Sequence, residues 1–131
     1  MAKAKVLLVE DHVIVRQGIK ALFSDEPDLE IVGEADDGRA ALQSVSELEP
    51  DVVLMDISMP GLNGIEATRQ IRQNHPEVKV VVLSMHSNEE YVFQVLRAGA
   101  SGYVLKQSDS SEVLTAIRAA LAGGSFLSPP I

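Results

Sequence analysis

The chain's 131 residues are enough for one domain with a sizeable core, and with 46% hydrophobic and 23% charged residues the composition is that of a globular protein. A net charge of −8 and the lack of any Lys/Arg run make this segment a poor binder of nucleic acid by itself, because phosphate contacts dominate that affinity. The absence of Cys excludes disulfides, thiol catalysis and thiolate-bound metals, and no apolar run approaches the roughly 20 residues of a membrane helix.

Short β-branched runs alternate with helical stripes along the chain. Met1-Ala2-Lys3-Ala4-Lys5 has no signal-peptide character and leads straight into Val6–Val9, so the expected setting is the cytoplasm. Val15, Ile19, Leu22 and Phe23 recur at helical spacing, and Pro27 follows where that helix should have ended. Ile31–Val32, flanked by Glu30 and Glu34, reads as an edge strand. Asp36-Asp37-Gly38 reads as a turn and helix cap before a stripe at Ala41, Val45 and Leu48. Val52–Met55 is continuously apolar, as a parallel strand covered on both faces should be. Asn63 is a candidate cap for a helix marked by Ile65, Thr68 and Ile71. Val80–Leu83 is the next strand. Ser87-x-x-Glu90 resembles a capping box ahead of Val92, Val95, Leu96 and Gly99. Tyr103–Leu105 is the fifth strand. Asp109-x-x-Glu112 precedes the cleanest stripe, Val113, Ala116, Ile117, Ala120 and Leu121.

Five βα units, (βα)5, with right-handed crossovers imply an α/β fold: a doubly wound, five-stranded parallel sheet with helices on both faces. Residues 1–122 form the expected domain. The Gly-, Ser- and Pro-rich stretch 123–131 reads as the start of a linker to a part that is absent.

Ligands of such sheets sit outside the carboxyl ends of the strands, at the switch point in strand order. There the first strand ends in Glu10-Asp11, the third in Asp56, the fourth in Ser84 and the fifth in Lys106. Converging carboxylates favour a hard divalent cation with oxygen ligands, most simply Mg²⁺, which takes one or two of them together with a phosphate oxygen. One carboxylate is then left as a nucleophile, and aspartyl-phosphate formation is established carboxylate chemistry. A hydroxyl at Ser84 and an ammonium at Lys106 suit the remaining phosphoryl oxygens, since phosphoryl transfer asks mainly for positioning and charge neutralisation.

Together, Glu10-Asp11, Asp56-Ile57-Ser58-Met59-Pro60-Gly61-Leu62-Asn63-Gly64, Leu83-Ser84-Met85 and Gly102-Tyr103-Val104-Leu105-Lys106 resemble the receiver domain of two-component response regulators, over nearly the whole chain. The resemblance implies strand order 2-1-3-4-5, as in flavodoxin and CheY. It implies Asp56 as phosphoacceptor, and Mg²⁺ held by Glu10, Asp11, Asp56 and the main-chain carbonyl of Ser58. Ser84 is implied as the switch hydroxyl, Lys106 as its cationic partner, and Tyr103 as the aromatic that turns inward when Ser84 moves.

The stretches Met59 to Gly64, Met85-His86, Ala98 to Tyr103 and the tail are similar to the NarL/FixJ subfamily. That similarity implies a transcription regulator whose LuxR-type helix-turn-helix follows the linker. The implied partners are a histidine kinase, small phosphodonors such as acetyl phosphate, a second copy on phosphorylation, and DNA through the absent domain alone. No membrane is implied, and no enzyme beyond self-phosphotransfer and dephosphorylation. Two departures stand out. Gln107 occupies a position where many receivers have Pro, often cis, and a cis bond before a non-proline costs about 3 kcal/mol, so trans is expected. Met85 is bulky where a small residue is common, and is expected to shield the phosphoryl group from water.

Blander readings exist for each residue. Asp56 alone is a turn former, Lys106 alone a surface lysine, Ser84 alone a strand-end hydroxyl, and Tyr103 a half-buried aromatic on an edge strand. Asp11 can cap the first helix as well as bind metal. His12, His75 and His86 read as surface or helix-start residues. A flavodoxin-like cofactor domain shares the strand order but needs a phosphate-cradling loop where this chain has Glu10-Asp11-His12-Val13. A haloacid-dehalogenase-type phosphatase needs an acid where Ser58 stands. A receiver-like domain that switches without phosphate is the third alternative.

Overall fold

The computed structural model describes residues 3–57, 64–85, 89–106 and 111–128. The expected elements are present: β1 (Ala4–Val9), α1 (Val13–Phe23), β2 (Leu29–Ala35), α2 (Gly38–Leu48), β3 (Val52–Asp56), α3 (Gly64–Asn74), β4 (Lys79–Ser84), α4 (Glu89–Arg97), β5 (Gly102–Leu105) and α5 (Ser111–Leu121). Among the described residues no helix is long and apolar enough to cross a membrane.

Successive strand residues point to opposite faces, and the sheet divides the core accordingly. Leu7, Val9, Val53, Met55, Val80, Val82, Tyr103 and Leu105 face α2, α3 and α4, where Ala41, Val45, Ala67, Ile71, Val92 and Val95 cover them. Val6, Leu8, Val52, Leu54, Val81, Leu83 and Val104 face the other way. There α1 supplies Ile19 and Phe23, and α5 supplies Val113, Ala116, Ile117 and Ala120. Burial on both faces explains why these strands are apolar at every position, and each such Val or Leu contributes about 1.5–3 kcal/mol.

The strand order is β2-β1-β3-β4-β5-β6, all parallel. The expected order of the five strands holds, and among the described residues a short sixth strand joins them. Phe126–Leu127 forms β6 alongside β5, inside the stretch expected to be linker. Two residues carry no periodicity to read, and their pairing is a contact across the whole of α5. At the opposite edge β2 is half-exposed, as its flanking glutamates suggested, and its register with β1 shifts between Val6 and Leu7.

The helix stripes held with local changes. Asp37 caps α2, its Oδ1 accepting from the Ala40 N–H at 2.8 Å. At α1 the cap position belongs to His12 rather than Asp11, and its ring makes no capping bond. Val15, expected in the α1 stripe, is exposed together with Val13 and Ile14. Gly99 follows α4 with φ +112°, a left-handed conformation that favours glycine and ends the helix. Gly64 opens α3 so close to β3 that a Cβ there would meet Ile57 Cα at 2.4 Å. Asn63, Ser87, Gln107 and Asp109 lie outside the described residues.

Candidate functional site

The switch in strand order falls between β1 and β3: the chain winds outward from β1 to β2, then returns to β3 and continues the other way. The crevice at their carboxyl ends carries the ionisable residues. Asp56 and Ser84 are the last residues of β3 and β4, Glu10 and Asp11 follow β1, and Lys106 follows β5. In-register parallel pairing brings these ends level, with Asp56 opposite Leu83 and Ser84 opposite Leu105. The Lys106 N–H donates to the Ser84 carbonyl at 2.8 Å, extending the ladder one step past β5.

Lys106 Nζ lies 3.1 Å from Asp56 Oδ2 and 3.5 Å from Glu10 Oε1. Glu10, Asp56 and Ser84 are completely buried, while the Asp11 side chain keeps about a quarter of its surface exposed. Two buried carboxylates, Glu10 and Asp56, therefore share the Lys106 ammonium, with Asp11 beside them. Burial is the main cause that pushes the Glu10 carboxyl above the usual range, and the adjoining Asp56 carboxylate adds to it. The Arg16 guanidinium braces this corner by donating Nη1–H to the Glu10 carbonyl at 2.9 Å.

Ligand atoms from Glu10, Asp11, His12 and Asp56 all lie within 4.8 Å of one another. Glu10 Oε1 and Asp11 Oδ1 are buried oxygens that accept no hydrogen bond among the described residues. Hard carboxylate oxygens at that spacing fit a divalent cation such as Mg²⁺. His12 Nδ1 stands 3.0 Å from Glu10 Oε2 and 3.2 Å from Asp11 Oδ1, and the two acids hold the imidazole's pKa above its ordinary value. His12 thus stands at the start of α1 beside the acidic pair, as its sequence position implied, and its ring contacts both acids.

Tyr103 is fully buried, not the half-buried edge aromatic of the blander reading: its side chain packs in the cluster under α2–α4, and β6 takes the edge position. Its phenol is hydrogen-bonded with the Ser84 side chain. Burial raises its pKa and the Ser84 bond opposes that rise. Tyr91, on the first turn of α4, was not singled out from the sequence. It packs against the same core cluster, and its phenol is pushed up by burial and by the Asp56 charge. Its position three residues into a capping-box helix was the signal available. Met85 follows Ser84 and is 60% exposed at the rim. His75 is half-buried near Ser46 and Glu77, away from these residues. Ser58 and His86 fall outside the described residues.

The sequence profile of the response regulator receiver domain matches residues 6–118. The transcriptional regulatory protein DegU of Brevibacillus brevis is 43% identical over 129 residues, which is 98% of this chain and 55% of that protein. The chain thus spans little more than half the length of this curated relative. A LuxR-family two-component response regulator from Aurantimonas sp. superposes with a TM-score of 0.93 at 42% identity, over 98% of this chain and 91% of that one. The isolated receiver domain of RcsB from Salmonella enterica, solved with the phosphomimetic BeF₃⁻, superposes at 0.90 with 29% identity, over 98% and 95%. A flavodoxin-like cofactor domain is not favoured by these matches.

Proposed function

The chain belongs to the response regulator receiver family, and from that premise we propose that Asp56 accepts a phosphoryl group from a histidine kinase. The observation that carries this reading is the contact of 3.1 Å between Lys106 Nζ and Asp56 Oδ2 beside the buried Glu10–Asp11 pair. An ammonium on the end of β5 already neutralises the carboxylate that is to become an acyl phosphate.

Glu10, Asp11, Asp56 and the Ser58 carbonyl are the residues that would hold Mg²⁺. When bound, the cation supplies charge neutralisation for phosphoryl oxygens. The chain's own groups do the rest. An Asp56 carboxylate oxygen attacks the phosphorus of a phosphohistidine in line. The P–N bond breaks, its electron pair stays on the imidazole, and a P–O bond forms. Lys106 and Ser84 take up negative charge on the transferred oxygens, the ammonium by charge and the hydroxyl by donation. Drawing Ser84 toward the phosphoryl group alters its bond with Tyr103, and this passes the change into β5 and its neighbours. Small phosphodonors such as acetyl phosphate serve the same chemistry. The domain acts as a switch whose only turnover is its own phosphotransfer and dephosphorylation.

The receiver runs through β6, a few residues past the expected boundary at 122, and the chain beyond is read as leading toward an effector that these 131 residues do not contain, a LuxR-type helix-turn-helix. The relative DegU is named a transcriptional regulatory protein, which supports DNA as the partner of that effector. The net charge of −8 supports no DNA contact by the receiver itself. A homodimer on phosphorylation and a cytoplasmic setting complete the proposal. The test is Asp56→Asn with Mg²⁺ and acetyl phosphate or a phosphorylated kinase. Labelling is expected to vanish, and undiminished labelling of the variant would overturn the reading.

A further inference from the structure

The tail is tied to β5 by more than strand pairing. Phe126 N–H donates to the Ser101 carbonyl at 3.1 Å and Ser128 N–H to the Tyr103 carbonyl at 3.0 Å. Beyond β6, the Ser128 hydroxyl takes over the ladder: its Oγ accepts from Leu105 N–H at 3.0 Å and donates to Glu112 Oε1 at 2.9 Å. Ser128 is 1% exposed, in a chain whose other buried polar residues include Glu10, Asp56 and Ser84 of the site. Burying a hydroxyl is unfavourable unless both its donor and its acceptor are matched, and here both are.

The position of this bridge matters because the next residue is Lys106. On one side, the Lys106 N–H is held by the Ser84 carbonyl at 2.8 Å. On the other, the Leu105 N–H is held by Ser128. The end of β5 is therefore gripped between the strand that carries the hydroxyl of the site and the segment that leaves the domain.

We propose that Ser128 is a positioning residue for Lys106: bridging Leu105 N–H and Glu112, it fixes the end of β5 so that the ammonium stays over Asp56. This rests on Asp56 being the phosphoacceptor. The sign of the coupling follows from reciprocity. If a docked tail favours the placement of Lys106 that stabilises the phosphorylated state, phosphorylation favours the docked tail by the same factor. The segment 126–128 is then held hardest against the sheet edge when Asp56 carries its phosphoryl group. The phosphorylation signal reaches the outgoing segment through one hydroxyl.

The experiment compares the full chain with Ser128→Ala, Ser128→Thr and Glu112→Ala. The two readouts are the rate of Asp56 labelling by acetyl phosphate with Mg²⁺, and amide exchange at Leu105, Phe126 and Ser128 with and without beryllofluoride. Ser128→Ala is expected to label about fivefold more slowly, Ser128→Thr to recover most of the rate, and beryllofluoride to slow exchange of the three wild-type amides about fivefold. A merely structural serine would lower stability but leave tail protection indifferent to beryllofluoride. Unchanged labelling in both alanine variants, or tail exchange unaffected by beryllofluoride, would overturn the inference while leaving Asp56 as phosphoacceptor. Undiminished labelling of Asp56→Asn overturns both. If Ser128→Ala does not fold, the Glu112→Ala rate and the wild-type exchange decide.

Discussion

Leu8, Leu54 and Val82 in the middle of three adjacent strands are as completely shut from solvent as Glu10, Asp56 and Ser84 at the ends of the same strands. Burial is equal and the chemistry is opposite. The middle of the sheet gains from losing water, while the carboxyl ends lose favourable solvation and recover part of it through Lys106 and His12. Few large side chains separate the stabilising centre from the destabilised, functional end. The difference teaches that the site is a reservoir of unfavourable charge placed where the core is rigid enough to hold it.

The comparison can be broken most decisively at Asp56. Asp56→Asn should abolish labelling by phosphodonors while leaving far-ultraviolet circular dichroism intact. Loss of fold along with label would mean that the two regions are not separable. Next in size, Leu54→Ala should cost about 2–5 kcal/mol in urea unfolding, because a fully buried side chain leaves a cavity between α1, α5 and the sheet. A cost near zero would mean that the centre is not a close-packed layer.

Mg²⁺ should then stabilise the wild-type chain by about 2.7 kcal/mol at 100 times its dissociation constant, and do so much less in Asp11→Asn. An unchanged urea midpoint with saturating Mg²⁺ would remove the metal from the site. Smaller still is the effect of Glu10→Gln. Removing a buried charge whose pKa is raised, first by burial and then by Asp56, should increase metal-free stability at pH 7. The pH dependence has a definite sign. A raised folded-state pKa means that the wild type loses stability as pH rises from the ordinary Glu value through the folded one. The advantage of Glu10→Gln is therefore complete above the folded pKa and vanishes near pH 4. An advantage that grew on acidification would refute the assignment. Last, Met85→Ala should shorten the lifetime of the phosphoryl group by admitting water at the rim, and an unchanged dephosphorylation rate would leave Met85 without that role.

Much of this architecture is legible from local pattern. Strands with both faces covered must be apolar at every position, so Val6–Val9, Val52–Met55 and Val80–Leu83 announce themselves. The polar residue that ends each run then marks the crevice. Once the strands are parallel, Asp56, Ser84 and Lys106 have nowhere to go but one edge. The signal was weaker where function depends on a neighbour distant in sequence. Tyr103 reads as an edge aromatic until the cluster under α2–α4 closes around it and β6 takes the edge. Arg16 has no partner that periodicity could name, and it reaches the Glu10 carbonyl.

The sequence by itself determined the element types, their order and the chemical identity of the strand ends, because those follow from residue periods of 2 and 3.6 and from where an apolar run stops. Tertiary structure alone decided that Lys106 stands 3.1 Å from Asp56, that helices α2–α4 and α1 with α5 take opposite faces, and that the tail turns back as a sixth strand. Those are contacts between segments remote along the chain. Their free energy comes from hydrogen bonds and burial that exist only after the sheet has assembled. At Ser128, one hydroxyl meets Leu105 and Glu112 only because α5 first carries the chain back along the sheet.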